Sequence, residues 1–269
     1  MILPALSPAL VAGGVLLLAK RTRVAFAGLA GALGYLAAHT ALLGLPELEP
    51  VAAVERMPYI LLAIAAVVTV CGARASSVGD ALLLLVCAAG AWWVTESARS
   101  NDLLGTAGGL LLGSLALLSY ASSQLLGSIS KGAKSWAAPL LLATSALALA
   151  PALVMGRSAV LGQLCGAVCA ASCAAAFLCR RGDFEEEGAL MARAAAPAIS
   201  LLAACGALYA YLDPWAAGCL ALSPLLAGFG LQRDEDWSPR YGFGATSLLC
   251  LVGLWLAYKG MPAPSPYDY

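Results

Sequence analysis

Apolar residues in this chain run in unbroken stretches of about twenty, separated by short polar clusters. Neither the three-and-four spacing of a surface helix nor the alternation of a half-buried strand accounts for such runs. Ten can be drawn: 2–19, 24–45, 57–73, 79–97, 103–126, 136–155, 158–179, 189–212, 214–232 and 240–259. At a rise of 1.5 Å per residue, a helix of about 20 residues crosses a hydrocarbon core of roughly 30 Å. The pattern predicts an all-α, polytopic integral membrane bundle of ten transmembrane helices. Residues 1–261 form one transmembrane domain, and 262–269, with three prolines, form a disordered tail.

Within this pattern the run Leu103–Leu126 stands out, with 24 residues and no charged side chain. Gly105, Gly109 and Gly113 recur at every fourth position and would form a ridge bare of side chains. Lipid offers little hydrophobic drive between helices, so close backbone approach over small residues is what holds them together. The run is therefore expected to be the central packing helix. Gly162 and Gly166 give the seventh run a similar stripe, beside Cys165, Cys169 and Cys173. Such faces would also receive membrane-protein partners.

Composition agrees with lipid as the solvent. Of the 269 residues 61% are hydrophobic and 11% charged, against about 25% charged in soluble domains, and mean hydropathy is +0.86. Formal net charge is zero and no basic block occurs, which excludes nucleic acid as an expected partner. The nine cysteines lie in or beside apolar runs without CxxC spacing, so neither a metal site nor a redox site is expected.

Charge placement sets the expected orientation. Connections after odd-numbered runs carry eleven of the fifteen basic residues (Lys20, Arg21, Arg23, Arg74, Lys131, Lys134, Arg180, Arg181, Arg193, Arg233 and Arg240). The opposite side carries Arg56, Arg99, Arg157 and Lys259, with seven acids. Basic residues resist translocation, so the first set marks the cytoplasm and both termini lie outside. Short connections fit a bacterial cytoplasmic membrane. A loose likeness between the third and eighth runs would make the chain two inverted halves of five, an arrangement found in secondary transporters.

Candidate chemistry is sparse. His39, Glu96 and Gln163 are the polar residues that could line a path. An imidazole near the outer surface can carry a proton, a carboxylate just inside the membrane can accept a cation, and an amide in apolar surroundings must find partners. Each has a plainer reading: His39 as a headgroup-level polar residue, Glu96 as an ion pair with Arg99, and Gln163 as a bond to a neighbouring helix. Asp80 reads as a helix-start acid. No nucleophile elbow, zinc-protease or nucleotide-binding motif is present, and no paired carboxylates or histidines sit at one depth, so the chain is not expected to be an enzyme or to hold a cofactor. Two functions fit. The first is a small-solute permease with a site near the membrane midplane; the second is a non-catalytic structural or scaffold subunit of a larger membrane complex.

Overall fold

Every residue from 189 to 200 is buried, and the architecture is built around that segment. The structure, a computed structural model, describes residues 3–22, 26–71, 77–101, 105, 108–132, 135–181, 184–230 and 238–261. The tail 262–269 lies outside the described residues. In chain order the helices are α1 (Leu3–Thr22), α2 (Leu29–Leu43, after a 3₁₀ turn Phe26–Gly28), α3 (Ala53–Cys71), α4 (Ser77–Val94), α5 (Glu96–Ser100), α6 (Gly108–Gly132), α7 (Ala137–Met155) and α8 (Ala159–Arg180). They continue with α9 (Glu185–Ala195), α10 (Pro197–Tyr209), α11 (Pro214–Leu222, extended by a 3₁₀ stretch Ser223–Gly230) and α12 (Pro239–Lys259). Among the described residues there is no strand.

Helices lie within all ten apolar runs. Seven are long and apolar enough to cross a membrane: α3, α4, α6, α7, α8, α9 with α10, and α12. Leu29–Leu43 and Pro214–Gly230 are apolar but shorter. The protein is a helical bundle of multi-pass membrane type.

The centre is not where glycine spacing put it. The span Glu186–Tyr209 is 94% buried, whereas the span in α6 is only 33% buried. Six of the twelve residues 189–200 are alanine, so this helix is thin on every side and neighbours approach it all round. Gly31 of α2 illustrates the closeness: a Cβ there would sit 2.9 Å from that of Ala195.

On α6 the expected ridge turns away from the bundle. Gly109 and Gly113 face open space, and Gly105 lies outside the helix with φ +49°. The surface that α6 presents to α9 and α10 is Ser119, Ser123 and Gly127, further along the helix toward its C-terminal half. Its stripe has the same four-residue spacing but is made of serine as well as glycine. On α8 the stripe divides, since Gly162 packs tightly on α7 and Gly166 faces open space.

Helix ends gather into two sets. At one, termed the upper end, the end of α2, the starts of α3 and α8 and the end of α10 enclose a common cavity. Gly156 after α7 lies against Ala210 and Leu212, and Gly260 after α12 lies against Asp213. At the lower end Lys20 of α1 stacks over Phe184, and Ser135 before α7 bonds Cys179 near the end of α8. Trp136 stacks on Phe243 of α12 at the same end. A local start signal, Asp213 followed by Pro214, sits before α11, and its carboxylate caps the helix by accepting from the backbone N–H groups of Trp215 and Ala216.

Candidate functional site

Proline at the joint of α9 and α10 creates the first polar demand in the core. Pro197 has no N–H, so the carbonyl of Arg193, four residues back, lacks its helical donor. In hydrocarbon such a carbonyl must be satisfied from elsewhere. Ser123 of α6 donates its hydroxyl to it at 2.7 Å, and one turn away Ser119 and Ser200 share a hydrogen bond of 2.7 Å. Replacing Ser123 by alanine removes that donor from the buried carbonyl and is expected to cost about 1–3 kcal/mol, read as a lower melting temperature in mild detergent. An unchanged melting temperature would show that the carbonyl is satisfied otherwise.

The Arg193 side chain enters the same interface. Its stem runs beside Gly127, where a Cβ would come within 3.2 Å of Cδ, so the absence of a side chain there makes room for the arginine. Its Nη2 donates to Asp80 Oδ1 of α4 at 2.9 Å and to Gln124 Oε1 of α6 at 3.1 Å. Gln124 Nε2 in turn donates to the same Asp80 oxygen, closing a triangle between three helices. The Arg193 side chain is 6% exposed and that of Asp80 27%. A charge so placed is costly unless it is paired and bonded, and the triangle supplies both.

Sequence reading missed this cluster because it assigned each member separately. Asp80 has the local reading of a helix-start acid, Arg193 falls among the basic residues of the cytoplasmic connections, and Gln124 is a single amide in an apolar run. The available signal was that all three interrupt apolar runs.

A second polar group closes the upper end. Arg56, 7% exposed, donates from Nη1 to the carbonyl of Trp93 at 2.6 Å and from Nε to that of Pro50 at 3.2 Å. Its guanidinium also pairs with Glu96 at 2.7 Å. Glu96 thus pairs across to α3, and Arg99, the partner that sequence spacing suggested, instead stacks on Trp92 at 3.4 Å and donates to its carbonyl. Because the Glu96 side chain is 52% exposed, Glu96→Gln is expected to cost under about 1 kcal/mol, while Arg56→Ala costs about 1–3 kcal/mol by stripping two carbonyls of their donor. Thermal unfolding of the two variants tests the order, and equal losses would contradict it.

Beside this group lies a cavity of about 410 Å³, lined by Leu43, Val54, Ser97, Ser158, Leu161 and Tyr209, among others. Tyr209 holds its rim, donating to the carbonyl of Val94 at 2.8 Å and accepting from the N–H of Ala98. His39, one turn before Leu43 on α2, is 1% exposed, and neither ring nitrogen has a hydrogen-bond partner among the described residues. The hydroxyl of Tyr35, one turn further down the same face, is also buried without one. Ser172 of α8 is a third such group.

The three expected path residues are therefore separated in role. His39 is interior, Glu96 belongs to the upper ion pair, and Gln163 is exposed on the surface of α8. Among the described residues, no hydrogen bond or ion pair joins them. Cys165, Cys169 and Cys173 pass from buried through half-buried to exposed, and no cluster that could hold a metal occurs among the described residues.

Comparison with protein-family models, with curated proteins and with solved structures finds no match to this chain.

Proposed function

We propose that the chain crosses a bacterial cytoplasmic membrane ten times, with both termini outside, as a small-solute permease rather than an enzyme. The observation that carries this reading is the charged triangle of Asp80, Gln124 and Arg193 on the most enclosed helix of an otherwise apolar bundle. Ionisable residues inside membrane spans are expensive and mark solute paths. The helix bearing Arg193 is interrupted by Pro197 at its middle, as discontinuous helices are at transporter sites.

The path in this reading enters at the upper cavity and is closed below by the triangle. Further down α2 from this cavity, His39 and Tyr35 carry buried polar atoms without a hydrogen-bond partner among the described residues, which a solute in transit would bond. The gathering of helix ends into two sets supports a chain that alternates direction through all ten runs. Lys20, Arg21, Arg180, Arg181 and Arg240 border the lower end, so that end faces the cytoplasm.

The open glycine face of α6 favours a second reading, the non-catalytic subunit of a larger complex, since a bare ridge accepts a partner helix. Purification in mild detergent, mass spectrometry of what co-purifies, and osmotic shrinkage of proteoliposomes in small polyols, urea and amino acids separate the two. A lone protein that speeds shrinkage with at least one solute, at a rate altered by Asp80→Asn, supports the permease. Stoichiometric partners together with rates equal to empty liposomes would replace it by the subunit.

A further inference from the structure

At the lower end, between the start of α7 and the end of α8, a groove of about 740 Å³ opens on the side of the bundle. Trp136 and Leu140 form one wall, and Cys173, Ala176 and Phe177 form the other. Arg180 stands at its mouth, one turn beyond Phe177 on the same face of α8. A second cation is held there, because the Arg181 guanidinium lies over the Phe177 ring at 4.2 Å. The Trp136 wall is fixed by stacking of its ring on Phe243, with centroids 6.2 Å apart and planes 14° from parallel. Glu187 of α9 lies near the buried Cys179, and the groove lining itself holds no acid among the described residues.

An apolar channel running along two membrane helices, ending in paired arginines beside a tryptophan, has the layout of a lipid: chain in the groove, phosphate at the cations. Guanidinium groups suit phosphate because they present several donors in a planar fork. We propose that this groove is a binding site for one anionic phospholipid of the lower leaflet, with its phosphate on Arg180 and Arg181 and an acyl chain against Cys173 and Phe177. The assignment needs the bundle to sit in a membrane but does not depend on transport.

The test uses the full chain in detergent, titrated with dioleoyl phosphatidylglycerol or dioleoyl phosphatidylcholine, with bound lipid counted by native mass spectrometry. One phosphatidylglycerol is expected to be retained roughly tenfold more tightly than phosphatidylcholine, given two arginines at the headgroup. The exposed pair Arg180→Gln with Arg181→Gln should erase that preference while leaving the melting temperature in phosphatidylcholine unchanged. Cys173→Trp, which fills the channel, should weaken both lipids. Equal retention of the two lipids by the unaltered protein, or a preference that survives loss of both arginines, would overturn the site.

Discussion

Asp80→Ala is expected to lower stability by about 3–5 kcal/mol, the largest loss of any single polar substitution in the bundle. The physical reason lies in what remains. The Arg193 side chain is 6% exposed, its stem is packed beside Gly127, and without the Asp80 carboxylate a buried positive charge loses an anionic partner bonded at 2.9 Å. Arg193→Met should cost less, because Asp80 is 27% exposed and can recover water where arginine cannot. The double variant, with neither charge, should be more stable than Asp80→Ala alone, since a well-packed apolar replacement of a buried pair is often nearly neutral. Melting temperatures of the four proteins give the coupling directly. Two small and additive losses would mean that the triangle does not hold the three helices together.

The second large effect contrasts two glycines that look alike in sequence. A Cβ on Gly162 would lie 2.6 Å from Val154 Cγ2 and 2.9 Å from the backbone carbonyl oxygen of Ala150, so Gly162→Leu must push α8 off α7. A loss of about 3 kcal/mol or more is expected, because backbone cannot give way as a flexible side chain can. Gly113→Ala meets open space and should instead stabilise by about 0.5–1 kcal/mol, through the better helix propensity of alanine. Thermal unfolding in detergent measures both. If Gly113→Ala proved harmful in native membranes but not in detergent, a partner helix would be seated on that ridge.

These contrasts show how far sequence reading reaches. Period-four glycine spacing at 105, 109 and 113 marks a smooth face on α6 but does not say whether a neighbouring helix covers it, and the stretch that meets the core is Ser119, Ser123 and Gly127, further along the helix. Glu96 and Arg99 stand three residues apart, yet Arg56 from another helix reaches the carboxylate first and Arg99 settles on Trp92. Gln163 was expected to seek polar company and is exposed on α8. The centre of the bundle could have been found earlier by a different signal: residues 189–200 are half alanine, small on all sides, and contain both an arginine and a proline that apolar surroundings do not tolerate unaided.

What the amino-acid order settled by itself is the solvent and the elements, because burying runs of about twenty apolar residues needs only composition and length, and a membrane-spanning backbone has to bond within its own helix. Where helices start was legible at Asp213, whose cap is a local bond. Only tertiary structure decided which helix lies inside, which of two glycine stripes is packed and how Asp80, Gln124 and Arg193 meet, since these residues are 44 to 113 positions apart and their pairing depends on the rotation of each helix about its axis. That rotation is set by the sum of all side-chain contacts around the helix, and no single spacing along the chain records it.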